Sequence, residues 1–140
     1  MKLFVVSIII FLSLPSTHAT LKEKIILGLG RNCDSNSQLV VTGFNISPYP
    51  PLLGKSYSGI LTGVFEKNQT LTQMVIKTTL DGNKFATNNL PLNQNYIYGL
   101  IYNFNFSLVA GTFTGLYDVQ VFLENKAGNY ISCWDFTYHL

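Results

Sequence analysis

The last segment of the chain, residues 130–140, constrains the fold more than any other stretch. Large apolar and aromatic side chains occupy every second position of it from Trp134 to Leu140. Successive side chains of an extended strand point to opposite faces, so the segment separates into two sets. One set contains Trp134, Phe136, Tyr138 and Leu140, and the other contains Ile131, Cys133, Asp135, Thr137 and His139. The segment also holds the only tryptophan and one of two cysteines. It is therefore predicted to be a strand whose aromatic face points inward.

Five earlier segments have the same character, rich in β-branched and aromatic residues and bounded by turn residues. They are residues 38–46, 55–66, 70–80, 96–109 and 116–124. They are separated by the prolines of 47–51, the Asp81-Gly82 turn, a loop-like stretch at 83–95 and the polar residues 125–128. No segment shows a helical period, and no second domain is evident. The sequence predicts one all-β domain, an antiparallel sandwich of six or more strands.

The same alternation predicts which side chains face the inside of the sandwich. In residues 38–46, the inward set is Val40, Thr42, Phe44 and Ile46, provided that Asn45 points outward. Residues 96–109 give the clearest stripe and residues 116–124 give a second. The inward members of these two stripes are Tyr98, Leu100, Tyr102, Phe104, Phe106, Leu108, Tyr117, Val119, Val121 and Leu123. Gly59 and Gly63 thin the strand at 55–66 and predict a bend or a close backbone approach there.

The first residues resemble a secretory signal peptide rather than part of the domain. Met1-Lys2 is positive, residues 3–14 are apolar, and small or helix-breaking residues precede Ala19. The apolar run is shorter than the roughly 20 residues that a membrane span needs. We therefore expect a signal peptide at residues 1–19 and the folded domain at residues 20–140. An uncleaved signal anchor is the alternative.

The charge and histidine content of residues 20–140 excludes several classes of function. Eight Lys and Arg side chains face seven Asp and Glu, a net charge of +1, whereas nucleic acid binding calls for a basic stripe. His139 is the single histidine left, so a multi-histidine metal site lacks its ligands and a histidine-based triad would have to use this one residue. Asp135 and His139 would lie about 13 Å apart along a strand, too far for a dyad. We expect no enzyme, no metal and no cofactor.

Cys33 and Cys133 are expected to be paired, because a signal peptide directs the chain to an oxidising compartment. Three triplets also fit the acceptor pattern for asparagine-linked glycans, at Asn45, Asn68 and Asn105. A glycan requires its asparagine to face solvent. In residues 96–109 this requirement agrees with the inward stripe, since Asn105 falls on the opposite face.

The order of several short motifs resembles the ML family of lipid-recognition domains, which includes sterol carriers and phospholipid transfer proteins. The similarity covers nearly all of residues 20–140, and it depends on the order and spacing of the motifs together. In the first half they are Asn32-Cys33-Asp34, then Asn45-Ile46-Ser47-Pro48-Tyr49-Pro50-Pro51, then Gly54-Lys55-Ser56-Tyr57. In the second half they are Gly115-Leu116-Tyr117-Asp118-Val119 and Ser132-Cys133-Trp134-Asp135-Phe136.

The resemblance implies an immunoglobulin-like antiparallel β-sandwich whose two sheets hold a lipid in a cavity between them. It also implies that Cys33 and Cys133 match the terminal disulfide of the family. The candidate lipid-binding residues are Phe44, Ile46, Tyr98, Leu100, Tyr102, Phe104, Phe106, Tyr117, Val119, Val121, Trp134 and Phe136. Tyr49 and Leu90 stand where many members carry further cysteines, so the extra bridges are absent.

Apolar and aromatic stripes suit a lipid site, because an unpaired polar group facing a lipid chain costs free energy. The alternative interpretation is a core filled by its own side chains, the usual outcome in a sandwich. The tyrosines of the stripes slightly favour a pocket, since a dry core would have to satisfy each hydroxyl. Lys55, Lys67 and Lys77 could contact a phosphate head group, although solvated lysines are the commoner case.

The sequence thus predicts a secreted or endolysosomal protein that binds and transfers a lipid: a sterol, a phospholipid or a fatty acid. The expected partners are this lipid and, transiently, a membrane or a lipid-accepting receptor, with the chain as a monomer. Two alternatives remain open. One is a recognition module that presents lipid to a receptor, and the other is an immunoglobulin-like adhesion domain with a filled core.

Overall fold

The computed structural model describes residues 29–140, and the predicted signal peptide at 1–19 lies outside the described residues. Every regular element in residues 29–140 is a β-strand. The strands are β1 (Arg31–Asn32), β2 (Leu39–Ser47), β3 (Ser56–Phe65), β4 (Gln69–Leu80), β5 (Asn83–Tyr96), β6 (Ile101–Val109), β7 (Leu116–Asn125) and β8 (Tyr130–His139). Over these residues no helix is long and apolar enough to cross a membrane.

The strands form two sheets, and every pairing between neighbours is antiparallel. The larger sheet has the order β1-β8-β7-β4-β5, and the smaller sheet has the order β2-β3-β6. Buried residues of both sheets form one continuous apolar core. The prediction of an immunoglobulin-like β-sandwich is therefore confirmed.

The prediction of a loop at residues 83–95 is wrong, because this stretch is most of the 14-residue strand β5. Asn88-Asn89 and Pro91 suggested a break in the chain. However, β5 is the edge of the larger sheet, where a proline without an N–H can be accommodated. A register shift near Pro91 and a positive φ at Asn93 accommodate the irregular sequence within the strand.

The prediction of one unbroken strand over residues 96–109 is also wrong. The chain turns between Tyr96 and Ile101, with Gly99 in the left-handed region at φ 80°. This turn carries the chain from the larger sheet to the smaller one. Tyr98 and Leu100 lie in the turn and are exposed, so they do not share the inward face with Phe104, Phe106 and Leu108.

In β2 the inward set differs from the prediction because a β-bulge lies between Val41 and Gly43. The extra residue changes the phase of the alternation. Val40 and Thr42 are therefore exposed, whereas Phe44 is half-buried and Ile46 is buried, as predicted. Asn45 is exposed, also as predicted.

Gly59 shows the close approach that the sequence predicted for β3. It pairs directly with Phe106 on β6, and a Cβ atom built on Gly59 would lie 2.0 Å from the Phe106 ring. The missing side chain lets the aromatic ring lie across the neighbouring backbone. An alanine here would have to displace that ring, which is itself buried in the core.

The two ends of the sandwich differ in how often the chain crosses between the sheets. The triple-crossover end contains the connections 33–38, 66–68 and 97–100, each of which joins one sheet to the other, and the 126–129 turn within the larger sheet. Within residues 29–140, the single-crossover end contains one crossing, 110–115, together with the 48–55 and 81–82 connections, which each stay within a sheet. Fewer covalent connections therefore join the two sheets at the single-crossover end.

Candidate functional site

The middle of the sandwich is an aromatic cluster that joins the two sheets. The Phe44 ring of the smaller sheet lies 5.9 Å from the ring of Trp134 and 5.3 Å from that of Phe136, both on β8. It also lies 6.5 Å from Phe106 on β6. The Trp134 indole N–H donates a hydrogen bond to the carbonyl of Leu29, which orients the ring. These four candidate residues therefore meet between the sheets, as predicted.

β7 supplies the most deeply buried wall of this interior. Tyr117, Val119, Val121 and Leu123 are each 0% exposed, so the predicted inward stripe of β7 is confirmed. Ser132 on β8 pairs with Leu123 and is also buried, but its hydroxyl has no hydrogen-bond partner among the described residues. An unpaired hydroxyl in an apolar interior costs free energy, and it is a polar group that a ligand could satisfy.

A column of tyrosines occupies the interior toward the single-crossover end. Tyr117 and Tyr138 stack with their ring centroids 5.1 Å apart, and Tyr57 packs on Tyr138 at 6.0 Å. The Tyr117 hydroxyl donates to the carbonyl of Phe113, in the crossover 110–115. The pKa of Tyr57 lies well above its ordinary value, mainly because the side chain is buried and to a smaller extent because of the neighbouring Tyr138. Its hydroxyl therefore stays protonated.

A second aromatic cluster closes the triple-crossover end. Phe65, Tyr96, Tyr102 and Phe104 pack together with ring centroids between 4.8 and 6.1 Å apart. Burial, followed by the neighbouring Tyr102, raises the pKa of Tyr96. Tyr102 is half-buried here, and its hydroxyl accepts a hydrogen bond from the backbone N–H of Ile97. The cluster thus fixes the turn that follows β5.

The candidate residues divide into three groups in the structure. Most are buried between the sheets: Ile46, Phe104, Phe106, Tyr117, Val119, Val121, Trp134 and Phe136. Phe44 and Tyr102 are half-buried, and their rings pack on the buried aromatic side chains. Tyr98 and Leu100 are exposed in the turn 97–100, outside the interior. A role in lipid binding for the first two groups stays a prediction.

The candidate list missed the apolar side chains exposed at the single-crossover end. Leu52, Leu53 and Phe113 are more than half exposed, and Phe85 packs edge-on against the buried Tyr117 ring at 5.4 Å. The N–H of Gly54 donates to the carbonyl of Gly111. The connection 48–55, which holds Leu52 and Leu53, therefore lies beside the crossover 110–115, which holds Phe113. Large apolar residues lie beside prolines and glycines in residues 50–54 and 111–115. This pattern was the sequence signal that could have identified the exposed apolar side chains.

Tyr49, in the connection between β2 and β3, joins the smaller sheet to the larger one. Its hydroxyl donates to the carbonyl of Thr137 on β8 at 2.9 Å. This hydrogen bond is a link between the two sheets at the single-crossover end. A surface depression beside this contact is lined by Leu29, Gly30, Arg31, Tyr49, Asp135, Phe136 and Thr137.

The outer face of the larger sheet carries the disulfide and a pair of acids. Cys33 and Cys133 are bonded, with their Cα atoms 5.0 Å apart, as predicted. The guanidinium of the exposed Arg31 contacts the carboxylate of the buried Asp135 at 3.1 Å. Burial, followed by Asp135, raises the pKa of Asp118, and Arg31 acts in the opposite direction. One Asp118 oxygen is buried without a partner among the described residues.

The three lysines considered for a phosphate head group lie in different places. Lys55 lies at the single-crossover end, and Lys67 lies in the connection 66–68 at the opposite end. Lys77 is on the outer face of the larger sheet, with its ammonium 4.8 Å from the Phe122 ring centroid and 4.7 Å from that of Tyr130. The structure therefore does not bring them together into one anion site.

The three predicted glycan acceptors are all exposed, as modification would require. Asn45 and Asn105 each pair with Ile60, so they flank it on the outer face of the smaller sheet. Asn68 lies at the triple-crossover end, where its side-chain oxygen accepts the N–H of Tyr98. Modification itself stays a prediction.

Comparisons with known proteins bear on the fold. No family model and no curated protein matches the sequence. Among solved structures, the C-terminal domain of wzt is similar with a TM-score of 0.64 and 16% identity, over 79% of this chain and 77% of that one. A Niemann-Pick type C2 protein from the Japanese carpenter ant is similar with a TM-score of 0.58 and 8% identity, over 79% and 98%.

Chicken MD-1, solved in complex with lipid IVa, is similar with a TM-score of 0.52 and 14% identity, over 77% of this chain and 85% of that one. Identities this low show a shared fold and nothing about shared ligands. The Niemann-Pick type C2 protein and MD-1 are ML-domain proteins, so the chain has an ML-domain-like fold, an immunoglobulin-like sandwich of five and three strands.

Proposed function

We propose that the protein binds a lipid, an acyl chain or a sterol, between the inner faces of its two sheets. One observation carries this proposal: the inward stripes of β3, β6, β7 and β8 in the described chain hold aromatic and aliphatic side chains and no charged one. Such a surface favours an apolar ligand, because there is no charge to desolvate. Two proteins of similar structure support it, a Niemann-Pick type C2 protein and MD-1, which was solved with lipid IVa bound.

The lipid has to displace side-chain contacts, because the inner residues are packed against one another in the structure. Moving an eighteen-carbon chain out of water yields on the order of 14 kcal/mol before the cost of binding is subtracted. Aromatic rings that separate as the sheets part can pack again on the chain. The ligand therefore replaces part of the core instead of filling an empty space.

The single-crossover end is where the lipid enters in this proposal. The sheets are joined there by the crossover 110–115 and by the hydrogen bond from Tyr49 to Thr137. The exposed Leu52, Leu53 and Phe113 can contact the ligand before it reaches the tyrosine column beneath them. The protein would act without catalysis, in a secreted or endolysosomal setting suited to its disulfide.

A second candidate function, an adhesion-type domain with a permanently filled core, is favoured by the depth of burial. Tyr117, Val119 and Val121 have no exposed surface at all. In that case the inner stripes only stabilise the fold, and recognition takes place on an outer face. The experiment below separates the two functions.

Trp134 is the only tryptophan, so its fluorescence reports directly on the interior. Brominated fatty acid and brominated sterol are titrated separately into protein purified without detergent, and unbrominated lipids serve as the matched control. Binding between the sheets predicts quenching of Trp134 by at least one brominated ligand and none by the controls. Native mass spectrometry should then show a one-to-one complex. A protein that retains no lipid and shows no quenching has a filled core, and the proposal fails.

A further inference from the structure

The turn at residues 97–100 exposes an uninterrupted group of apolar side chains at the triple-crossover end. Ile97, Tyr98, Leu100 and the following Ile101 are between 51% and 69% exposed. Val40 is also exposed. It lies near the turn, since it pairs with Val64 and Val64 pairs with Ile101. Residues 97–101 contain no charged side chain. Exposing this much apolar surface costs free energy unless something covers it.

The backbone N–H groups of the same turn already have hydrogen-bond acceptors within the protein. The N–H of Ile97 donates to the Tyr102 hydroxyl, and the N–H of Tyr98 donates to the Asn68 side chain. The N–H of Gly99 donates to the carbonyl of Phe65, and the N–H of Leu100 to that of Ile97. Four consecutive N–H groups are therefore satisfied without water. An exposed turn normally leaves such groups to solvent, where they are costly to dehydrate.

This combination distinguishes a lipid surface from a protein partner. At the boundary between the head groups and the acyl chains, water can still bond the carbonyls of a turn, but internally satisfied donors lower the cost of insertion. A protein interface, in contrast, can supply acceptors of its own. Tyr98 can also remain at the level of the lipid head groups, where tyrosine is favoured. The connections at this end carry Lys67 and Lys126 together with Asp34 and Glu66, so their charges cancel and the docking cannot depend on a basic patch.

We propose that the turn 97–100, with Ile101, is a membrane-docking tip that inserts its apolar side chains into a lipid surface. The tip does not depend on a ligand between the sheets, and it lies at the end opposite the proposed opening. A protein docked in this way holds its single-crossover end away from the bilayer. A lipid carried between the sheets would then be presented to a partner in solution rather than to the membrane beneath.

The test compares two double variants that remove similar amounts of exposed apolar surface. Ile97→Gln with Leu100→Gln alters the docking tip, and Leu52→Gln with Leu53→Gln alters the opposite end as the matched control. All four residues are exposed, so neither variant disturbs the core. Both keep Asn68, so any glycan there is common to all proteins. Binding is measured by co-sedimentation with phosphatidylcholine vesicles, with and without phosphatidylglycerol.

The proposal expects the wild-type protein and the Leu52/Leu53 variant to bind phosphatidylcholine vesicles, with little change when phosphatidylglycerol is added. The Ile97/Leu100 variant should lose about tenfold or more in partitioning. Equal loss in both variants, or no vesicle binding by the wild-type protein, overturns the proposal. So does a concentration-dependent dimer that the Ile97/Leu100 change dissociates, since a second copy would then cover the tip. Quenching of Trp134 by brominated ligand should be unchanged in the Ile97/Leu100 variant, which separates this result from the proposed function.

Discussion

Both ends of the sandwich expose large apolar side chains, but the structure beneath them differs. At the triple-crossover end, three connections and the Phe65 aromatic cluster hold the sheets together, and the turn 97–100 is fixed by four hydrogen bonds. At the single-crossover end, one crossing lies above the column of Tyr57, Tyr117 and Tyr138. Exposed apolar surface alone therefore does not identify an opening.

The difference shows that the connections decide what an apolar surface can do. A rigid turn presents its side chains outward and has little freedom to admit a ligand, which suits docking. Sheets that are joined by few crossings can part at low cost, which suits access to the interior. Four predictions test this contrast, from the largest expected effect to the smallest.

The largest effect concerns the disulfide, which closes a loop of 100 residues between Cys33 and Cys133. In the chain-entropy model, Cys33→Ser with Cys133→Ser should lower the free energy of unfolding by about 4 to 5 kcal/mol. Denaturant unfolding of both proteins under non-reducing conditions measures it. A loss below about 1 kcal/mol would show that the crossovers alone hold the β1 end of the domain.

The second prediction moves the tryptophan reporter to each end in turn. Phe113 and Tyr98 are 62% and 65% exposed, which makes Trp134→Phe with Phe113→Trp and Trp134→Phe with Tyr98→Trp a matched pair. A soluble brominated fatty acid should quench the new tryptophan at position 113, because the ligand passes this residue. Vesicles of brominated phospholipid should instead quench the one at position 98. The reverse pattern in either experiment would exchange the roles of the two ends.

The third prediction concerns local opening measured by amide hydrogen exchange. The N–H groups of Gly54 and Ala110, bonded to Gly111 and Lys55, should exchange about tenfold or more faster than those of Tyr98 and Gly99. These hydrogen bonds join the 48–55 connection of the smaller sheet to the crossover 110–115, and they break when the crossover moves as the sheets part. Bound ligand should reduce the contrast by holding that end closed. Equal protection of the four amides would argue against preferential opening there.

The smallest effect concerns Asp118, near the start of β7 and paired with Thr79 and Thr137. Burial, followed by Asp135, raises its pKa in the folded protein, and Arg31 partly opposes this. A carboxyl with a raised folded pKa favours folding when protonated, and this contribution is lost as the pH rises through the folded value. Asp118→Asn should therefore stabilise the protein at pH 7 by up to about 1 kcal/mol, because a partly exposed carboxyl is screened by solvent.

The stabilisation by Asp118→Asn should disappear as the pH falls below the ordinary carboxyl value of 3.8, where both side chains are neutral. Thermal unfolding of both proteins as a function of pH measures it. A gain that is the same at every pH would mean that the ionisation of Asp118 is not its cause.

Most of the sandwich could be predicted from the two-residue alternation of side chains. β3, β4, β7 and β8 lie within a residue or so of their predicted bounds. The inward positions of Tyr117, Val119, Trp134 and Phe136 agree with their phase in sequence. These strands have neighbours on both sides and pack on the core, so the burial of one face leaves a clear record in the sequence.

The errors fall where the conformation depends on a neighbouring strand or on a change of sheet. β5 is an edge strand, and its hydrogen bonds to β4 can form despite Pro91. The bulge in β2 puts Val40 and Thr42 out of phase with Phe44 and Ile46, and Gly43 was the one local signal for it. Gly99 was the signal for the turn 97–100, but the apolar stripe on either side of it concealed the break.

The sequence by itself determined an all-β domain, its apolar stripes and the pairing of Cys33 with Cys133, because alternation and cysteine number are local or compositional properties. Only the tertiary structure decided that Tyr98 and Leu100 lie outside the core and that one end of the sandwich is crossed three times. Which sheet a strand joins depends on hydrogen bonds between residues that are distant in sequence. A periodic pattern indicates which face of a strand is apolar, but it contains no information about the partner that covers that face.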